Sequence, residues 1–507
     1  MSTFKKLAGD TALYGISTIL GRLLNWALLP LHTRVFVDPA ELASNVKIYT
    51  YIGVFQIILL MGLDTAFFRY AARNKEQVQD YFNRTQSLIL VVNLLVGAAL
   101  VFGAPWLSRA MGYPDETLSL QWAATLLAID AITAIPFARL RVQNQAKRFV
   151  TAKITNIGLN VALNVFFLVI CRDIYNGAYL TGLQPLVDQI YYPSIGAGYI
   201  ILANLIANAV NLLQLADLWR GFRLRLQKAE AQILLAYAFP MMLMSLTGVV
   251  NQLSDRLLLD YLLPDDFYLN VDKKEALGIY GNCYKMSVFM AMAIQSFKFA
   301  ADPFFFSRAE DKAAPGLLAD VTKWFVLICV VIWVGISLNM DLIGLLIGKS
   351  YRSGLIVVPV LMLGTLIMGV YYNMGFWFKL TDRTVYGTWI TAAGLLATVL
   401  LNVWLIPVIG YMGCAVAFLA SAIIMTWLCY YFGEKYYPVP YDLGSGIGYI
   451  LGGGALIFAA AQIEISNLWI AVPYHLALFL LFLAVVFVVE RKTFLPVLGK
   501  LMGRGRN

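Results

Sequence analysis

Apolar runs of roughly 20 residues, separated by short polar gaps, follow one another along nearly the whole chain. Runs of this length cross a bilayer as helices. The pattern predicts fourteen spans, near residues 10–36, 48–70, 85–111, 118–138, 154–171, 194–218, 233–263, 277–306, 324–340, 354–378, 385–409, 411–432, 444–463 and 468–489. The expectation is an all-α polytopic membrane protein with about 14 transmembrane helices. The first span contains an exception to its own pattern. Arg22 sits near its middle, and an arginine at a helix centre costs about 2.5–3.5 kcal/mol on an insertion scale. A span that keeps such a residue points it at a polar interior.

Composition agrees with the pattern. Of 507 residues, 60% are hydrophobic and only 13% charged, and the mean hydropathy is +0.72. A soluble domain carries closer to a quarter charged residues. Lys5 and Lys6 precede the first apolar run, which is too long for a signal segment and contains Arg22, so it reads as a retained span. The net charge of +9 is largely topological. With the N-terminus inside, 26 of the 38 Lys and Arg residues fall in inner gaps and termini, 8 in outer gaps and four within spans. The positive-inside rule then places both termini in the cytoplasm. Because the bilayer already explains the basic gaps, no nucleic-acid partner is expected. Membrane lipids surround the spans.

The chain resembles itself at an offset of about 230–240 residues. Lys47-Ile-Tyr-Thr-Tyr51 recurs loosely as Gly278-Ile-Tyr-Gly-Asn-Cys-Tyr-Lys285. Leu163-Asn164-Val165-Phe166 recurs as Leu401-Asn402-Val403-Trp404, and the start of the sixth span recurs at the start of the twelfth. Six spans separate the partners, so the two halves insert the same way up. Parallel repeats of this kind occur in transporters, with the substrate site between them. The predicted units are an N-terminal lobe, 1–228, a C-terminal lobe, 229–435, and a terminal helix pair with a basic tail, 436–507. The glycine-rich start of the thirteenth span suggests close helix packing.

Several spans carry polar faces. Tyr14, Thr18, Arg22 and Asn25 share a face of the first helix. Thr247, Asn251 and Asp255 form a stripe on the seventh, with Gln252 and Arg256 one step around. On the eighth, Tyr280, Tyr284, Gln295, Lys298 and Asp302 lie near one face, and Lys285 sits about 100° off it. These faces fall mainly on corresponding spans of the two halves, and a polar cavity between the halves explains them together. The intramembrane cations Arg22, Arg256, Lys285 and Lys298 slightly outnumber Asp64, Asp130 and Asp255, an excess that suits an anionic substrate. The aspartates leave two readings open: they bind H⁺ or Na⁺, or they pair structurally with the cations, as Asp255 would with Lys285.

Other signals lead nowhere. Gly344-Leu-Leu-Ile-Gly348-Lys349-Ser350 has three residues between its glycines where a P-loop has four, and it falls in an outer gap. Cys171, Cys283, Cys329, Cys414 and Cys429 contain no C-x-x-C pair, which argues against metal or disulfide chemistry. His32 and His475 form no constellation with a nucleophile. No catalytic residue, metal site or cofactor is expected.

Leu28-Leu-Pro30-Leu-His-Thr33-Arg34, followed by Gly62-Leu-Asp64-Thr-Ala66-Phe-Phe-Arg69, resembles the start of polysaccharide-biosynthesis flippases of the Wzx type. These belong to the multidrug/oligosaccharidyl-lipid/polysaccharide exporter superfamily. Similar elements follow in order: Pro136-Phe-Ala-Arg-Leu-Arg141, Ser254-Asp255-Arg256, Gly278-Ile-Tyr280, Gly348-Lys-Ser-Tyr351 and Leu401-Asn402 with Ile406-Pro407. The resemblance covers roughly residues 10–430. It implies two V-shaped lobes, a location in the bacterial inner membrane, and transfer of an undecaprenyl-diphosphate-linked oligosaccharide to the periplasmic leaflet by alternating access, for surface polysaccharides such as O-antigen, capsule or exopolysaccharide. It assigns Arg22, Arg256, Lys285 and Lys298, with Asn25, to a cationic cavity, and Arg34 to release near the outer mouth. A polymerase and glycosyltransferases are the implied protein partners. The competing readings are a lipid II flippase, a cation-coupled multidrug exporter and, least favoured, a membrane glycosyltransferase or ligase.

Overall fold

The apolar runs are helical. The computed structural model describes residues 15, 19–24, 26–306, 314–381, 383–463, 465 and 467–491, without the side chains of 72, 73, 75, 299, 300 and 302–306. Among the described residues there is no strand, only an isolated bridge between Tyr268 and Val271. Eleven helices among them are long and apolar enough to cross a membrane. Three of the fourteen predicted spans are not among these. The first begins largely outside the described residues, the sixth is the 17-residue helix Gly198–Gln214, and the eighth is interrupted.

The main helices of the first half are α1 (Leu29–Val35), α2 (Pro39–Leu60), α3 (Leu63–Arg73), α4 (Val78–Val92, continuing to Ala110), α5 (Thr117–Val142), α6 (Ala146–Val165) and α7 (Gly198–Gln214). Those of the second half are α8 (Lys228–Leu262), α9 (Lys273–Tyr284), α10 (Val288–Phe306), α11 (Ala314–Leu338), α12 (Val358–Met374), α13 (Thr384–Ile409) and α14 (Tyr411–Tyr436). The terminal pair is α15 (Leu443–Ala461) and α16 (Leu468–Val489).

The second predicted span starts earlier than expected and is bent. Asp38 caps α2, its side chain accepting from the Ala40 N–H at 2.8 Å, so Lys47 lies inside the helix rather than before it. Met61 (φ 52°) and Gly62 (φ 69°) then turn left-handed and separate α2 from α3. Glycine suits the second position twice over. Positive φ costs it nothing, and a Cβ there would meet the Ala238 carbonyl oxygen of α8 at 2.7 Å. The corresponding span of the second half also starts at an acidic cap and breaks. Asp272 and Glu275 form a capping box, with the Glu275 N–H donating to Asp272 at 2.7 Å and the Asp272 N–H donating to Glu275 at 3.0 Å. A 3₁₀ turn, Lys285–Ser287, then separates α9 from α10.

Helices α2 and α9 carry the contact between the halves at the end predicted to face outward. A Cβ on Gly278 would lie 2.0 Å from the Pro39 carbonyl oxygen, and one on Gly281 would lie 2.5 Å from Val46. Both glycines are therefore required by the approach of the two backbones. Lys47 of α2, only 1% exposed, pairs with Asp260 of α8 and donates to the Met111 carbonyl at 2.7 Å. The P-loop lookalike falls in the same region. The Gly348 N–H donates to Thr33 Oγ1 at 3.0 Å, and a Cβ there would meet the Thr33 carbonyl oxygen at 2.0 Å. The Tyr351 hydroxyl donates to the Phe36 carbonyl at 2.8 Å. That glycine pattern serves helix packing.

The terminal pair packs on α11. Its glycines divide: a Cβ on Gly453 would meet Val334 at 2.7 Å, whereas Gly448 and Gly452 face open space. Close packing thus explains part of the glycine run and leaves the rest without a structural account. Glu490, after α16, binds Lys323 at 2.7 Å and accepts from the Tyr449 hydroxyl at 2.5 Å. All five cysteines are buried free thiols.

Candidate functional site

A cavity of about 880 Å³ lies between the two halves. Arg22, from the helical residues 19–24, lines it together with Arg256 of α8, Lys285 of the 3₁₀ turn and Lys298 of α10. All four intramembrane cations picked from the sequence are thus brought to one space. Among the described side chains, no Asp or Glu lines it. Among the described residues, no carboxylate lies within ion-pair distance of Arg22, Arg256 or Lys285.

The way each cation is held follows from local structure. The Arg256 guanidinium stacks on the Tyr284 ring, 4.0 Å from its centroid, and Lys298 Nζ sits 4.1 Å from the centroid of Tyr372. A ring face attracts a cation without neutralising it. Lys285 Nζ donates to Asn282 Oδ1 at 3.0 Å. In a continuous α-helix Lys285 and Lys298 would point about 140° apart. Three residues of 3₁₀ turn, at about 120° each, close the difference to about 80°. This break explains why Lys285 looked misplaced in the sequence and yet lines the same cavity.

The stripe on α8 is turned relative to the expectation. Gln252 and Arg256, one step around, face the cavity, while Asn251 and Asp255 are 3% and 2% exposed. Asn251 accepts from Thr398 Oγ1 of α13 at 2.5 Å. Asp255 accepts from the Tyr280 hydroxyl at 2.5 Å and from the Arg256 N–H at 2.8 Å. The expected Asp255–Lys285 pair does not form. Asp255 is bound by hydrogen-bond donors, and Lys285 keeps an uncompensated charge in the cavity.

The remaining candidates lie elsewhere. Asp64, half-buried on α3, has Thr65 Oγ1 at 3.4 Å, and Asp130 is half-buried on α5; neither lines the cavity. Lys153 Nζ, on α6, rests 4.3 Å from the Phe137 ring centroid. Arg34 is exposed at the end of α1, donating to the Leu345 carbonyl at 3.0 Å, and belongs to the contact between the halves rather than to the cavity. Asn25, like Tyr14 and Thr18, lies outside the described residues, as does the side chain of Asp302.

Sequence reading missed a second group. Asn45 and Tyr49 of α2, Asn160 and Asn164 of α6, Asn204 of α7 and His32 of α1 line the N-terminal side of the cavity. The spacing of Asn160 with Asn164, and of Asn204 with Asn208, places each pair on one helix face. That was the available signal, but neutral amides in a span do not stand out as charges do.

Residues 7–309 match the sequence profile of a family described as polysaccharide biosynthesis protein. The chain belongs to that family. Its fold is shared with a solved lipid II flippase MurJ in an inward closed conformation, at 13% identity and a TM-score of 0.71, over 95% of this chain and 100% of that one. It is also similar to an inward-facing multidrug resistance MATE transporter of the MOP superfamily, at 15% identity and a TM-score of 0.60, over 88% of this chain and 96% of that one. No curated protein matches the sequence. The family and the fold agree with the resemblance carried by the sequence motifs, and the protein is a multi-pass membrane protein with the fold these solved transporters share.

Proposed function

We propose that the protein is a flippase that moves an undecaprenyl-diphosphate-linked oligosaccharide from the cytoplasmic to the periplasmic leaflet of a bacterial inner membrane. Both termini would be cytoplasmic, and the product would feed surface polysaccharide synthesis by a polymerase and glycosyltransferases. The observation that carries this reading is the convergence of Arg22, Arg256, Lys285 and Lys298 on one cavity, which no carboxylate of the described side chains lines. An isolated diphosphate in hydrocarbon faces a prohibitive desolvation cost. Fixed cations with open hydrogen-bond donors replace part of its hydration. The closed end at Lys47 and Asp260 suits a state that holds cargo before release outside, and alternating access would exchange this closure for one at the other end. Asp64, Asp130 and Asp255 stand outside the cavity, where coupling to H⁺ or Na⁺ would act on the conformation rather than on the cargo.

The runner-up is a lipid II flippase, favoured by the fold shared with MurJ. A multidrug exporter of cationic compounds fits less well, because the cavity would repel its cargo. An enzymatic role has no catalytic constellation among the described residues to support it. Depletion of the protein followed by mass spectrometry of accumulated lipid intermediates separates these readings. A diphosphate-linked oligosaccharide without peptide is the expected species, held on the cytoplasmic leaflet. Accumulation of the peptide-bearing intermediate would replace the first reading by the second, and unimpaired delivery of glycan outside would overturn both.

A further inference from the structure

The cavity has two chemically different walls. The C-terminal half supplies three cations, Arg256, Lys285 and Lys298, interspersed with the neutral Gln252, Asn282 and Gln295, whereas the N-terminal half supplies one, Arg22, and a set of neutral groups: Asn45, Tyr49, Asn160, Asn164 and Asn204. These neutral groups are held in place from behind. Asn164 Nδ2 donates to Asn160 Oδ1 at 3.0 Å, and its own Oδ1 lies 2.9 Å from His32 Nε2. Asn208 Nδ2 donates to Asn204 Oδ1 at 2.9 Å, and Asn204 Nδ2 donates to the Tyr49 hydroxyl at 3.3 Å.

Once those bonds are made, three groups have capacity left. Asn160 Nδ2 has no partner among the described residues. The Tyr49 hydroxyl, having accepted from Asn204, still has its proton to donate. Asn45 is the most telling of the three. It is 6% exposed, lines the cavity and donates through Nδ2 to the Ala197 carbonyl at 2.8 Å, while its Oδ1 has no partner. A buried acceptor without a donor carries a desolvation penalty of about 1–3 kcal/mol. An ionised diphosphate has no proton to offer it. A hydroxyl or an acetamido N–H does, and the same groups accept from Asn160 and Tyr49.

We propose that this amide wall, built from Asn45, Tyr49 and Asn160, is a subsite for the neutral sugar next to the diphosphate, which the cations opposite hold. The inference rests on the flippase reading and adds to it the side of the cavity that takes the sugar and the chemistry that takes it. The wall is uncharged where it meets the sugar, so it selects on hydrogen bonding rather than on sign.

The test uses purified full-length protein in nanodiscs and two probes, a prenyl diphosphate and the same lipid carrying N-acetylglucosamine. Wild-type protein is expected to bind the sugar-bearing probe about tenfold more tightly, the effect of one to two net hydrogen bonds. Tyr49→Phe, which removes one proton, and Asn160→Ala are each expected to reduce that ratio about threefold or more, with the thermal unfolding midpoint of each variant recorded beside it. A ratio unchanged in both folded variants, or a wild-type ratio near one, overturns the subsite and leaves the flippase reading standing. Variants that weaken both probes equally also overturn it, since the wall would then act on the phosphates or on the fold. If wild-type protein binds neither probe, the flippase reading falls and the subsite with it.

Discussion

Lys47 and Lys285 are both lysines inside apolar helices, and they are treated in opposite ways. Lys47 is almost fully enclosed, faces Asp260, and joins α2 to α8 where the halves meet. Lys285 is exposed to a cavity, has an amide oxygen as its partner, and meets no carboxylate among the described residues. A compensated charge makes a contact specific; an uncompensated one is a binding group awaiting an anion. On the proposed function, the difference separates the region that closes the molecule from the region that would hold its cargo. Asp255 sharpens the point. It lies beside Arg256 in sequence and is nevertheless buried and bound by Tyr280, so it does not line the cavity.

The largest effect should come from the cavity. Arg256→Ala combined with Lys285→Ala is expected to slow lipid transfer by about 100-fold or more, since each charge-assisted contact to phosphate is worth about 1.5–3 kcal/mol. Transfer in reconstituted vesicles measures this, and an unchanged elution profile and melting point show that the fold persists. Retained activity would make the two cations incidental.

The closed end comes next. Lys47→Ala leaves Asp260 without its partner, a loss of about 3–5 kcal/mol, and is expected to open this end. A Thr50→Cys probe should then react faster with an impermeant maleimide added from outside. Replacing both partners, Lys47→Met with Asp260→Leu, should restore slow labelling, because an apolar pair of similar volume fills the gap without a buried charge. Equal labelling in all three would show that the pair does not hold the ends together. Gly278→Leu should act in the same direction and less strongly, by about 1–3 kcal/mol, as its side chain forces Pro39 away. The smallest change belongs to Arg34→Ala. It removes one exposed hydrogen bond to Leu345 and should shift transfer by less than about twofold; a loss comparable to that of Lys285 would move Arg34 back into the substrate path.

How far the sequence foretold this arrangement depends on the kind of residue. Apolar runs are expensive to place anywhere except in a bilayer or a core, so eleven of the fourteen predicted spans are matched by long apolar helices among the described residues, and arginine and lysine within them stood out for the same reason. Arg22, Arg256, Lys285 and Lys298 were found by that logic. Their orientation was less legible. Which face of α8 meets the cavity depends on the packing of Asp255 against Tyr280, and the approach of Lys285 to Lys298 depends on a 3₁₀ turn that periodicity alone does not reveal. Lys47 was read as a residue of the outer gap because apolar character begins after it, although Asp38 starts the helix earlier. Asn45, Tyr49 and Asn160 carry no charge, and only their convergence in space distinguishes them from ordinary polar residues of a helix.

The central claim is that the cavity takes its cargo by the phosphates. It is tested most directly by comparing two lipids in vesicles containing the wild-type protein: an undecaprenyl diphosphate-linked saccharide and an uncharged prenyl glycoside bearing the same sugar. The account predicts rapid leaflet transfer of the first and transfer of the second no faster than in protein-free vesicles. Equal acceleration of both lipids would contradict it.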